Sequence, residues 1–138
     1  FCGCGNFSLF LAKKNSAKIT GIDSNKAAIL EAQNNARLNG IENAHFQAAN
    51  IDDLSENGLE KNYAGVLINP PRSGCEARTL HLLAEKSPSV IVYVSCDPST
   101  LARDVRVLVE RGYTIDAIQP FDMFPHTYHI ETIVKLSK

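Results

Sequence analysis

The sequence predicts an α/β fold: a mostly parallel sheet with helices on both faces, closed by a terminal antiparallel hairpin. Three observations carry this. Short apolar runs alternate with longer runs of helical periodicity, the pattern of successive strand–helix–strand units. The last two strand-like runs are separated only by the loop around Phe121–Pro125, too short for a parallel crossover. The 138 residues are 44% hydrophobic and 21% charged, enough for one domain, residues 1–138, with its own core.

The elements follow in order. Phe1-Cys2-Gly3-Cys4-Gly5-Asn6 is a glycine-rich turn of the kind that follows a strand, already under way at the first residue. It predicts a fragment of a longer protein with its first strand truncated. Phe7–Lys14 reads as a helix and Lys18–Ile22 as a strand. Asn25–Leu38 carries Ala28, Ile29, Ala32, Ala36 and Leu38 on roughly one helical face, with Ser24 as a cap and Asn39-Gly40 as a stop. Strands are expected at Ala44–Ala48 and Gly65–Ile68, a helix at Ala77–Glu85, and a strand at Val90–Val94. Ser99 is placed to cap a helix, Leu101–Glu110, that starts near Thr100 and ends before Gly112. Thr114–Ile118 and Thr132–Leu136 form the closing hairpin. The chain shows no internal repeat, low-complexity stretch or linker.

Bulk properties narrow the function. Net charge is −1 with acids and bases interleaved, so charge by itself does not argue for a nucleic-acid surface. No apolar run approaches the ~18 residues of a membrane span, and no signal peptide is visible. Cys2-x-Cys4 is too close for an ordinary disulfide, and Cys75 and Cys96 are scattered. No paired Cys or His spacing fits a zinc site. The expectation is a cytoplasmic protein with reduced thiols, no metal and no membrane partner.

Three strand ends suggest a nucleoside ligand. Gly3 and Gly5 let the backbone turn sharply and approach a ligand. Taken singly, this is also an ordinary strand–helix turn. Ser8 stands where a dinucleotide fingerprint has its third glycine, which disfavours a pyrophosphate. The second strand ends at Asp23, where an acid can accept hydrogen bonds from both ribose hydroxyls. The third ends near Ala49-Asn50-Ile51-Asp52, where a polar side chain can meet an adenine amino group and Ile51 can cover the ring. Together they favour an adenosine ligand without a pyrophosphate, and S-adenosylmethionine fits this best.

A reactive end lies further along. Val90–Val94 runs into Ser95-Cys96-Asp97-Pro98-Ser99-Thr100, so Cys96 stands at the C-terminal edge of a parallel strand, where such sheets bind ligands. A buried structural thiol is the commoner state of a free cysteine. Here Pro98 locks the loop, and the helix behind it should aim its positive N-terminus at the sulfur, with Asp97 opposing. A thiolate nucleophile needs a proton-handling partner. In His126-Thr127-Tyr128-His129-Ile130-Glu131, strand alternation would put His129 and Glu131 on one face, beside Cys96 if this strand returns there.

The segments FCGCGNFSL, NPPRSG, YVSCDPSTLARD and FPHTYHIETIVKL occur in an order that resembles the S-adenosylmethionine-dependent RNA uracil-5-methyltransferases of bacterial tRNA and rRNA. The likeness covers nearly the whole chain. It implies the class I methyltransferase (Rossmann-like) fold, which has one reversed strand. It also implies Cys96 as nucleophile, Glu131 as base, and Phe1, Asn6, Asp23, Asn50 and Asn69 as cofactor contacts beside Gly3 and Gly5. Thiolate addition to C6 would make C5 of an unstacked uracil nucleophilic, and a carboxylate would then remove the C5 proton.

Two departures stand out. The family usually has Asp-Pro-Pro-Arg where this chain has Asn69-Pro70-Pro71-Arg72, which keeps hydrogen-bonding capacity but loses charge. The family's N-terminal RNA-binding domain, with an iron–sulfur cluster in some members, has no counterpart here. The fragment alone is therefore expected to bind RNA poorly and to be weak or inactive. Two rival readings remain. An amino-methyltransferase would use Asn69-Pro70-Pro71 to hold a planar NH2 group, but Arg72 replaces the aromatic residue it needs. A non-catalytic adenosine-binding domain would leave the thiol inert.

Overall fold

The computed structural model describes residues 1–51 and 63–138, which divide into two compact units. In the first, helix α1 (Asn6–Lys14), strand β1 (Ile19–Asp23), helix α2 (Lys26–Leu38) and strand β2 (Ala44–Ala48) follow in order. β1 and β2 pair in parallel, from Ile19 opposite Ala44 to Asp23 opposite Ala48. Small residues let the layers approach: Ala12, Ala32, Ala36 and Ala44 are buried with Ile29. The Phe46 ring fills the space over two glycines. A Cβ on Gly21 would meet it at 2.6 Å, and one on Gly5 at 3.1 Å. Asn43 Nδ2 donates to the carbonyls of Ala12, Asn15 and Ala17 at 3.1, 3.0 and 2.9 Å, satisfying the open end of α1.

The α2 cap is Asn25 rather than the expected Ser24. The Asn25 side chain accepts from the N–H groups of Ala27 and Ala28, a reach that only the residue just outside the first turn has. The strand end expected at residues 49–52 is described as far as Ile51; Asp52 lies outside the described residues.

The second unit holds strand β3 (Gly65–Ile68), helix α3 (Ala77–Lys86), strand β4 (Val90–Ser95), helix α4 (Pro98–Glu110) and strands β5 (Thr114–Phe121) and β6 (Glu131–Ser137). The sheet order is β3-β4-β6-β5. β3 and β4 are parallel, and β6 runs antiparallel to β4 and to β5. The closing antiparallel pair is present, with its last strand inserted beside β4. Ile91 and Tyr93 of β4 and Val134 and Leu136 of β6 alternate into one core with Leu80 and Leu83 of α3 and Leu101, Val105 and Leu108 of α4.

α4 begins at Pro98 rather than near Thr100. Asp97 Oδ1 accepts from the N–H groups of Ser99 at 2.8 Å and Thr100 at 3.0 Å. Pro98 sits at the first helical position, where it has no N–H to lose. Ser99, the expected cap, is already inside the helix. Gly112, at φ +94°, lies just past the helix end as expected. Among the described residues no helix is long and apolar enough to cross a membrane.

Candidate active site

In the first unit, Asp23 ends β1 and ties two segments to it. Its Oδ2 accepts from Gly3 N at 2.8 Å and its Oδ1 from Asn25 N at 2.9 Å. Burial opposes ionisation there, but the N–H groups of Asn25 and Gly3 outweigh it and hold the carboxyl below its usual range. Each oxygen keeps acceptor capacity for a hydroxyl. The two loop glycines serve different ends. Gly5 (φ +91°) begins α1 under the Phe46 ring, so packing explains it. Gly3 (φ +53°) would place a Cβ in open space, so a ligand can approach its backbone. Asn35 Nδ2 braces the loop at Cys4 O, 3.2 Å away. Cys2 N donates to Ile22 O at 3.0 Å, so the chain at Phe1 and Cys2 runs beside β1. Asn6, at the start of α1, and Asn50, just after β2, are both exposed.

In the second unit, the β4–β6 ladder ends with Ser95 opposite Thr132. Cys96 and Glu131 are the next residues beyond that pair, Cys96 just after the end of β4 and Glu131 the first residue of β6. Both residues are half-buried. The β3–β4 register ends with Ile68 opposite Tyr93, and Asn69 and Pro70 follow directly after β3. Asn69 is exposed and Pro70 buried. The helix N-terminus behind Cys96 is not free to face the sulfur, because Asp97 occupies its N–H groups. Those N–H groups, Thr100 before Ser99, outweigh the cost of removing the charge from water and hold the Asp97 carboxyl below its usual range.

The loop after Asn69 is pinned from two sides. Thr100 Oγ1 donates to Arg72 O at 3.0 Å. Beneath it lies Asp104, fully buried. Its Oδ2 accepts from Cys75 N at 2.7 Å and Tyr93 Oη at 2.6 Å. Its Oδ1 accepts from Arg103 Nε at 2.8 Å and pairs with Nη2 at 2.7 Å. Arg103 Nη2 also donates to Ser73 O at 2.9 Å. Burial first, then the bond to Asp104, push the Tyr93 hydroxyl far above its usual range, so it stays a donor. Gly74 (φ +75°) passes so close that a Cβ would lie 2.5 Å from Asp104 Oδ2.

His129 is not in the strand. β6 starts at Glu131, so the expected shared face for His129 and Glu131 does not form. The His129 ring instead meets Arg72, Nη2 to Nε2 at 3.3 Å. Arg72 thus links the Asn-Pro-Pro-Arg loop to the turn before Glu131. Sequence reasoning missed Asp104, Tyr93 and Thr100 as supports. A signal for Asp104 existed: with Leu101, Val105 and Leu108 it falls on the buried face of α4.

Residues 1–138 match the family described as tRNA (uracil-5-)-methyltransferase. A Clostridium acetobutylicum protein, named as an uncharacterized RNA methyltransferase, is 46% identical over 140 residues, covering 100% of this chain and 30% of that protein. The structure of a Pyrococcus abyssi tRNA (uracil-54, C5)-methyltransferase in complex with S-adenosyl-L-homocysteine matches with a TM-score of 0.87 and 41% identity, over 98% of this chain and 32% of that one. An rRNA methylase from Streptococcus thermophilus, 14% identical with a TM-score of 0.76 over 100% of this chain and 82% of its own, shares the fold. The chain spans about a third of the length of the first two.

Proposed function

The chain belongs to the tRNA (uracil-5-)-methyltransferase family and has the class I methyltransferase fold, and from that premise we propose that residues 1–138 are the catalytic domain of an S-adenosylmethionine-dependent RNA methyltransferase acting on C5 of a uridine in tRNA or rRNA. What supports this reading is that Cys96 and Glu131 are the next residues beyond the last β4–β6 pair, Ser95 opposite Thr132. A nucleophile and a base for neighbouring carbons of one ring then flank the same end of the ladder. Arg72, in place of an aromatic residue after Pro71, works against the amino-methyltransferase reading.

The strand ends of the first unit fit an adenosyl group. Gly3 leaves open space over its backbone. Asp23 is ionised and fixed by Gly3 and Asn25, with lone pairs left for ribose hydroxyls. Phe1, Asn6, Asn50 and Asn69 are the further contacts of this reading. When bound, S-adenosylmethionine supplies an electrophilic methyl group.

The chain's own residues handle the uracil. Cys96 Sγ adds to C6, and the electron pair of the C5–C6 double bond moves onto C5 and O4 as an enolate. C5 thereby becomes nucleophilic. Once C5 carries the methyl group, Glu131 takes the C5 proton, the double bond re-forms, and Sγ leaves from C6. The base must leave its stack for Sγ to reach C6. RNA is the partner, held mainly through parts of the longer protein outside this chain. The setting is the cytoplasm.

The test uses the full-length protein, S-adenosylmethionine and tRNA or rRNA transcripts made with 5-fluorouridine. Fluorine cannot leave C5 as a proton does, so a covalent protein–RNA adduct should accumulate. Absence of an adduct, or an adduct that persists in Cys96→Ala, would sink this mechanism. Glu131→Gln should instead trap the methylated adduct on ordinary uridine.

A further inference from the structure

The turn before Glu131 presents large side chains to solvent. Tyr128 is 89% exposed, Met123 64% and Phe124 44%. The Tyr128 ring rests against His129 with centroids 4.2 Å apart and planes at 46°. Phe124 meets His129 edge-on, 6.2 Å away at 78°. His129 is held in turn by Arg72.

The backbone beneath is braced. Phe124 O accepts from Thr127 N at 3.1 Å and Thr127 Oγ1 at 2.7 Å. Thr127 Oγ1 accepts from His129 N at 3.2 Å. His126 adopts the left-handed φ of +67°, which costs energy for a residue with a Cβ. A hydrogen-bonded, strained turn that holds a tyrosine in water gains nothing for the fold from that ring. It does provide a ready aromatic face, three residues before Glu131.

We propose that Tyr128, seated on His129, is a stacking shelf for a nucleobase beside the target uridine, with Arg72 as the neighbouring cation for the RNA backbone. This rests on the RNA-methylating reading above. Drawing a uridine out of its stack leaves an adjacent base with one face uncovered. Aromatic rings on a protein surface replace such faces without regard to sequence. The Arg72 guanidinium, within hydrogen-bond reach of His129, can meet a phosphate beside the shelf, although the Asp97 carboxylate shares its charge. An apolar segment of the longer chain would find this cation beside the ring and is the poorer occupant.

The experiment measures binding of full-length protein to tRNA transcripts containing 5-fluorouridine for wild type, Tyr128→Phe and Tyr128→Leu. Tyr128→Leu should weaken binding about tenfold and Tyr128→Phe should leave it unchanged, with the melting temperature of the RNA-free protein unmoved in both. Wild-type affinity in Tyr128→Leu overturns the shelf. So does a loss of binding that tracks a lowered melting temperature, because the ring then packs against another part of the longer chain. Adduct formation in the same samples separates the two readings. RNA binding without an adduct in wild type overturns the C5 chemistry and leaves the shelf standing. An adduct with unchanged binding in Tyr128→Leu overturns the shelf alone. Absence of RNA binding in wild type overturns both.

Discussion

Replacing Asp104 with alanine should cost about 3–5 kcal/mol. The carboxylate is fully buried and satisfies two buried donors, Cys75 N and Tyr93 Oη. Orphaning each costs about 1–3 kcal/mol. Arg103 loses its partner too, but its side chain is 53% exposed and can turn to water, so it adds little. Asp104→Asn keeps one carbonyl for the two donors and should cost about half as much. Tyr93→Phe alone should cost about 1 kcal/mol, yet almost nothing in the Asp104→Ala background, where its hydroxyl keeps only the weak contact to Cys75 Sγ at 3.8 Å. The assay is urea denaturation of the full-length protein with pulsed hydrogen exchange, the midpoint being read on peptides spanning residues 69–80 and 90–110. A loss below about 1 kcal/mol for Asp104→Ala, or simple additivity with Tyr93→Phe, would refute this account of the hub. The same variants should lose methyl transfer, because the Asn-Pro-Pro-Arg loop is anchored through Cys75 and Arg103.

Gly21→Ala should destabilise the first unit by about 1–3 kcal/mol through the Phe46 ring, and Phe46→Leu should recover part of that loss; thermal unfolding of the single and double variants checks it, and no recovery would point away from this contact. Thr100→Val removes the tie to Arg72 O, so kcat/KM should fall severalfold while stability drops by only about 1 kcal/mol; an unchanged rate would mean the loop is held without it. The depressed folded-state value of Asp23 means that its stabilising contribution is complete above the unfolded value near ~3.9 and is lost as pH falls through the folded value. The gap in melting temperature between wild type and Asp23→Asn should therefore narrow below about pH 4. A gap that stays constant from neutral pH into acid would contradict the hydrogen bonds to Gly3 and Asn25.

Element type and order were legible in the sequence because burial imposes its own period on each element. β2 and β3 occupy the expected ranges to the residue. Helix starts were less legible. Ser24 and Asn25, or Asp97 and Ser99, are all capping residue types, and geometry one residue wide chooses between them. Asp104 escaped notice because an acid within a helix ordinarily faces water, although its place on the apolar face of α4 pointed inward. Asn43 offered no signal, since its three carbonyl partners lie at the far end of another helix. His129 was expected in a strand from alternation, but its backbone N–H is held by Thr127 and its ring by Arg72.

The sequence by itself determined which residues carry the candidate chemistry. Cys96 follows a buried strand, Glu131 opens the last one, and Asn69-Pro70-Pro71-Arg72 breaks another. Residue type is chemistry, and strand ends are marked by local apolar pattern and turn residues. Whether those residues meet was for the tertiary structure alone to decide. Strand order and register are set by the summed packing of Ile91, Tyr93, Val134 and Leu136 with α3 and α4. A slip of β6 by one residue would turn Val134 and Leu136 out of the core. The register that buries them ends with Ser95 opposite Thr132, so Cys96 and Glu131 flank the same end of the ladder.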